Sequence, residues 1–309
     1  MSVLLRPPSH RGPLIAAGAV VLTAGAVLWL MRHDVDAGWQ LLVFGALSAL
    51  FGRLAVSAPL EGGRPPAYQS VLIVTTLATL GLTLLAFADA FEADVGDLST
   101  GTATCVLALL SLAAGWAARR RNSGIAALIC ALAGGGALLA ATEWILDPGL
   151  PAYRWLLLAL ATTFVLVSLV LRGSRPRHAE LLVSAAGLAI LAIPANLAAA
   201  FFVGFAFPGD RPGLPGFWEL VVLAAGFGLI AYAAAERAPG PAYLGVLNLV
   251  VFAFADGLDA GGTLRWWPLL LLGTGAAMLL AGLRPARPLP PEPSSYTHEE
   301  LPLTVRVED

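Results

Sequence analysis

The sequence predicts an all-α fold, a polytopic transmembrane helix bundle of about ten spans, and three observations carry that reading. Residues are 58% hydrophobic and 12% charged, with a mean hydropathy of +0.80, far from the roughly 25% charged of a soluble domain. The apolar residues gather into runs that match the ~20 residues needed to cross a hydrocarbon core. Ten-residue stretches of alternating polarity, the signature of a membrane barrel, are absent, and backbone groups in lipid need partners inside their own segment.

Taken in order, the runs cover about 14–31, 39–57, 67–88, 101–118, 124–145, 152–171, 179–206, 215–235, 241–256 and 264–283, each near the spanning length. The first follows Arg6 and Arg11, as a secretory signal would. Its apolar stretch of about eighteen residues is longer than a signal core and ends at Trp29-Leu30-Met31-Arg32 without a small-residue cleavage site, so it is expected to be retained. The third carries Thr75, Thr76, Thr79 and Thr83; Thr75, Thr79 and Thr83 stripe one face and either line a polar path or bond their own helix backbone. Cys105 and Cys130, in the fourth and fifth, fall inside apolar runs at opposite depths and read as small packing residues that do not bridge. Gly134-Gly135-Gly136 in the fifth either interrupts the helix or lets a neighbour approach closely. Beyond Leu283 the chain turns Pro-rich and then acidic, so residues 1–283 read as the transmembrane domain and 284–309 as a disordered tail. The alternation Leu303, Val305, Val307 offers the tail a way to add a strand to a partner protein, against the plainer reading of a passive end.

Orientation follows from the arginines, because cytoplasmic loops keep positive charge. With the N-terminus inside, thirteen arginines fall on the inner side (6, 11, 53, 64, 119, 120, 121, 172, 175, 177, 237, 284 and 287) and four on the outer side: Arg32, Arg154, Arg211 and Arg265. The acids Asp34, Asp36, Asp89, Asp147, Asp210 and Asp256 take outer loops, and seven of eight tryptophans take the outer interface, Trp116 being the exception. Both termini are therefore expected in the cytoplasm of a cell with an inner membrane. Arg119-Arg120-Arg121 reads as a topology determinant, with attraction to anionic lipid as a secondary effect.

The chemistry available is narrow. All eighteen basic residues are Arg, so a Schiff-base or phosphate-binding lysine is excluded. The four histidines, His10, His33, His178 and His298, have no second ligand at metal spacing, so no metal site and no cofactor is expected. Hydrolase, protease and nucleotide-binding motifs are absent, which argues against an enzyme. The inner arginines are scattered one to three per loop, which argues against nucleic-acid binding. Polar groups at depth mark function by default, and the candidates for a substrate cavity are Asn196, Asn248, Pro194, Thr75 and Thr79. Pro194 frees a carbonyl one turn back, so the segment before Asn196 either kinks to line a cavity or is simply accommodated, each Asn then bonding a neighbouring helix. Glu143, Arg154, Glu219 and Arg265 sit at outer helix ends and form either an outer vestibule or solvated headgroup-level charges.

Divided after the fifth run, into 1–147 and 148–283, the chain shows similar helix spacings in both halves. The segments Gly134–Ala141 and Gly273–Ala281 echo one another, although short loops and a Gly-Ala-Leu composition produce such echoes cheaply. Five spans per half would make the halves an inverted repeat. In helix number, length and termini the chain resembles the ten-helix drug/metabolite transporter superfamily of EamA type, a resemblance of architecture over nearly the whole chain without a shared motif. It implies a secondary transporter or exporter of a small or lipophilic solute. The competing expectation is a non-transporting scaffold or accessory subunit surrounded by membrane lipid and acting through its tail.

Overall fold

Apolar runs become helices wherever the computed structural model describes the chain, at residues 11–33, 35–58, 65–91, 99–206, 215–257 and 273. Among these residues there are nine helices and no strand: α1 (Gly12–Arg32), α2 (Ala37–Ser57), α3 (Ala67–Phe91), α4 (Thr100–Arg121), α5 (Gly124–Leu146), α6 (Leu150–Leu171), α7 (Pro176–Ala206), α8 (Gly216–Glu236) and α9 (Pro239–Gly257). Eight are long and apolar enough to cross a membrane, which makes this a multi-pass membrane protein, and α9 carries a shorter apolar stretch, Pro239–Ala253. The chain divides into two units, Met1–Gly262 and Thr263–Asp309. All nine helices lie in the first. Of the second only Gly273 is described, so the tenth run, Arg265 and the tail lie outside the described residues.

Local chemistry sets the helix ends. Asp36, Ser99 and Ser123 stand just before α2, α4 and α5 and accept from the amides of Gly38, Thr102 and Ala126, satisfying donors that the first turn leaves open. Proline near the start of α1 and α6 occupies a position where its missing N–H costs nothing. Asn122, Asp147 and Arg237 terminate α4, α5 and α8 in the left-handed conformation (φ 50°, 43° and 55°). These turns make the α4–α5 and α8–α9 connections only two residues long, Asn122-Ser123 and Arg237-Ala238, so those helices pack as hairpins.

Many small residues are inside and many large apolar ones outside. The buried set is dominated by Ala (Ala114, Ala126 and Ala185 at 0%), whereas Leu14, Val21, Leu112 and Val170 are 70% exposed or more. That inversion suits lipid, where helix association comes from close packing rather than from hiding apolar surface. α7 lies deepest: 67% of its most apolar window is buried, against 17–39% for the other spans. Pro194 sits inside α7 without ending it.

Helix packing repeats with a step of four. α1 packs on α2 and α3, α3 on α2, α4 and α5, and α4 on α5; the same six relations recur when each helix is advanced by four, with α5 on α6 and α7, α7 on α6, α8 and α9, and α8 on α9. The six recurrences account for every other helix pair that packs closely among the described residues, and helix starts recur after roughly 110–116 residues. Details repeat as well. A Cβ on Gly12, the first residue of α1, would meet the ring of Tyr68 at the start of α3, and one on Gly124, the first of α5, would meet Leu181 and the Arg177 carbonyl at the start of α7. On the hairpin seams Ser111 faces Gly134 and Gly115 faces Cys130, while 115 positions later Gly226 faces Leu249 and Ile230 faces Gly245. The small partner has changed sides each time and the seam volume is kept. An even step gives units that run in the same direction, so the five-helix halving expected from spacing is not the division that the packing follows.

Candidate functional site

The same step of four produces a pair of grooves. One, about 420 Å³, lies between α6, α7 and α8; the other, about 190 Å³, lies between α2, α3 and α4. Gly52, Ala55 and Val56 of α2 correspond to Val165, Ser168 and Leu169 of α6 by a shift of 113, and Ile73, Thr76, Leu77 and Leu80 of α3 correspond to Val183, Ala186, Gly187 and Ile190 of α7 by a shift of 110. On the fourth helix of each unit the seam's shift of 115 pairs Ala113 and Ala117 with Gly228 and Tyr232. Leu77 stands in the first groove where Gly187 stands in the second, and Trp116 adds its indole to the first only. A Cβ on Gly228 would meet nothing within 4 Å, so the second groove is open there.

The larger groove is amphipathic along its length. Its walls are Leu, Val, Ile and Ala side chains, and Thr162 spends its hydroxyl on the carbonyl of Leu158 in its own helix. Ser168 and Tyr232 bring hydroxyls to one end. That end is where arginines gather, since Arg172 closes α6 and pairs with Glu236, the last residue of α8. At the opposite end Trp155 stacks on Phe217 (5.5 Å) and meets Trp218 edge-on (5.0 Å), joining the starts of α6 and α8.

The residues singled out in the sequence fall at several places. Thr75, Thr76, Thr79 and Thr83 each donate to a carbonyl one turn back in α3, at 2.7–2.9 Å, which is the local bonding open to threonine in a helix. Asn248 is fully buried and its amide donates to Gly187 O of α7 and to Leu244 O of α9, both at 3.1 Å. It ties two helices behind the larger groove, through a glycine that also lines that groove. Pro194 is buried in α7, and the Asn196 side chain lies outside the described residues. Glu219 is fully buried in the first turn of α8, where the helix dipole favours a carboxylate. Arg154 is half-buried near the start of α6 and Glu143 half-buried near the end of α5; among the described residues neither forms an ion pair. Arg265 lies outside the described residues. No group of three His, Cys, Asp or Glu close enough to hold a metal occurs among the described residues.

Sequence reasoning passed over Gly187, Gly228 and Tyr232, which line the larger groove, and noted Trp116 only as the exception to the outer aromatic belt. The signal was present as matched helix starts at Gly12 and Gly124 and at Ala37 and Leu150, legible with a step of four and hidden by a step of five. It also passed over Gln69, which is fully buried and donates to Ala55 O across the α2–α3 interface at 2.7 Å. No protein-family model, no curated protein and no solved structure matches this chain.

Proposed function

We propose that this chain is a carrier of the cell membrane that moves a neutral lipophilic solute, with the groove between α6, α7 and α8 as its binding site. The observation that carries the reading is Gly228, where a Cβ would meet nothing within 4 Å: it leaves open a lateral, lipid-facing cleft, whereas the smaller groove is lined by Leu77 and Trp116. Apolar walls select a lipophilic body, and the hydroxyls of Ser168 and Tyr232 at one end accept a polar tip without demanding charge. Ten spans, the tenth at 264–283, and both termini in the cytoplasm complete the proposed topology, in keeping with the resemblance to the EamA-type transporters. The four-helix packing step favours same-direction units, in place of inverted five-helix halves, as the bodies that move against one another. No catalytic step and no cofactor enters this reading.

A second reading, a non-transporting scaffold or accessory subunit, is favoured by Thr75, Thr79 and Asn248, whose polar groups are turned to the protein itself. The two readings separate in reconstituted vesicles. A diazirine-bearing long-chain alcohol is expected to label peptides of α6–α8, and Gly228→Leu to remove that labelling without loss of expression. Translocation of a fluorescent neutral lipid, read by quenching from outside, is expected to be fast in the native protein and near background in Gly228→Leu. Labelling without translocation in the native protein sends the chain to the scaffold class, and labelling spread evenly over all helices rejects the groove.

A further inference from the structure

We infer that the smaller groove, between α2, α3 and α4, is a binding site for one anionic phospholipid, which lays an acyl chain along the groove and its phosphate on the Arg121 guanidinium. This site is separate from the one in the preceding section and does not depend on it. Three observations bear on it. Arg121 closes the groove at one end and is half-buried there. One of its terminal nitrogens, Nη1, donates to Ala58 O, the cap of α2, at 3.3 Å, which fixes the side chain across the mouth. A guanidinium carries five N–H donors in a planar fork suited to phosphate, and among the described residues no carboxylate pairs with this one. Charge complementarity therefore names the occupant: Arg119 and Arg120 adjoin it on α4, and Arg53 follows Gly52 on α2.

The related groove supplies the contrast. At its matching end Tyr232 stands where the first groove has Ala117, and the residue that corresponds to Arg121 is Glu236, which pairs with Arg172, the arginine that closes α6. One fold thus presents two clefts, one ending in a cation that no carboxylate among the described residues pairs with and one ending in hydroxyls, and the first suits a phosphodiester where the second suits an uncharged tip. Trp116, half-exposed on the wall of the smaller groove, places an indole near the end of α4, at the depth where such rings settle.

The test uses the full chain in bilayer nanodiscs of equal phosphatidylglycerol and phosphatidylcholine, with lipid retained on the released protein counted by native mass spectrometry. The native protein is expected to retain phosphatidylglycerol over phosphatidylcholine. Arg121→Gln, which keeps an amide donor for Ala58, is expected to lower that preference about fivefold, the equivalent of ~1 kcal/mol for one basic residue at an anionic surface. Arg119→Gln and Arg120→Gln, exposed at the same level, are expected to change it by less than about twofold because exposed charges are screened. Phosphatidylglycerol with a diazirine in its acyl chain is expected to crosslink to α2, α3 and α4, and Gly52→Leu to prevent it. Equal losses from all three arginine variants mean diffuse attraction to the surface and overturn the site, as does equal retention of the two lipids. Should Arg121→Gln fail to fold, the native protein's lipid preference and crosslink map decide the matter unaided.

Discussion

Asn248 of α9 donates its side-chain amide to the carbonyl of Gly187 in α7, 61 positions earlier in the chain, at 3.1 Å with both groups buried. A Cβ at position 187 would press against Leu229 of α8 at 3.0 Å and meet the Leu244 Cβ of α9 at 3.5 Å, so the glycine lets the α7 backbone come close enough to α9 for the bond to form, and it also lines the larger groove. Removing the amide is expected to loosen the α7–α9 contact. Asn248→Leu is expected to lower stability by about 0.6 kcal/mol and at most about 2, the range for such bonds within membranes, read as a drop in thermal midpoint in detergent. Asn248→Asp is expected to cost more, because it loses the donor and faces a carboxylate toward a carbonyl in a dry interior. A midpoint unchanged in both variants removes Asn248 from the packing account.

Glycine lets the α8 and α9 backbones approach closely at their seam. A Cβ on Gly245 would lie 2.6 Å from the Gly226 carbonyl oxygen, an atom of the backbone that no rotamer can move. Gly245→Ala is expected to push the helices apart and cost about 1–3 kcal/mol, as overpacking does. Gly18→Ala and Gly25→Ala in α1 meet nothing within 4 Å and are expected to be neutral, or to gain up to ~1 kcal/mol from helix propensity. Thermal denaturation of the three variants in one detergent tests the ordering.

How far the fold was legible depended on what each residue's chemistry could report. Of the ten runs read from hydropathy, eight are helices long and apolar enough to span, since lipid leaves the backbone no other choice, whereas the caps Asp36 and Ser123 that set helix starts were not singled out. The packing order was not legible in the same way. Gly228, Gly226 and Gly245 look alike as letters, yet the first leaves a groove open and the other two close a seam. Trp116 was seen as the exception to the outer aromatic belt, and its place on the wall of the smaller groove became visible only in the packing. Thr75 and Thr79 had two open readings, and the side-chain bonds in α3 follow the local one.

The two thiols report on packing without any mutation. Cys105 is exposed, on the wall of a cavity of about 480 Å³ formed with Trp144 and Phe87, and Cys130 is half-buried against Gly115 and 3.5 Å from the Ser111 hydroxyl. A membrane-permeant maleimide is expected to modify Cys105 quickly and Cys130 at least about tenfold more slowly, in line with the access that governs thiol reactivity. Oxidation of the native protein is expected to leave both as monomeric thiols without an intramolecular bridge, because they occupy opposite depths of the α4–α5 hairpin. Equal labelling rates, or a Cys105–Cys130 disulfide found by mass spectrometry of unreduced peptides, contradict the packing of that hairpin.

Alternation of the helices makes a prediction about sidedness that packing alone can organise. The contact of Gly12 with Tyr68 and the approach of Gly124 to Arg177 join the starts of α1 with α3 and of α5 with α7, the bond of Arg121 to Ala58 and the pair Arg172–Glu236 join the ends of α2 with α4 and of α6 with α8, and the bond of Gln69 to Ala55 O and the two-residue turn Asn122-Ser123 bring those starts and ends to the same side. One end of the bundle therefore collects Arg119–Arg121, Arg172, Arg175, Arg177 and Arg237, while Trp144, Trp155 and Trp218 meet Gly101 and Phe217 at the other. Basic loops stay in the cytoplasm because positive charge resists translocation, and that bias fixes orientation better than net charge does. Periplasm-dependent phosphatase fused after Asp147 is expected to be active, whereas fusions after Arg121 or Arg175 are expected to be silent and a cytoplasm-dependent reporter at those two sites active. The sites lie on consecutive connections, so a missing or extra span between them inverts one result relative to the next, and a wrong overall orientation inverts all three together. Inversion of all three turns the bundle over without disturbing its packing; inversion of only one breaks the alternation of α4, α5 and α6 on which both grooves depend.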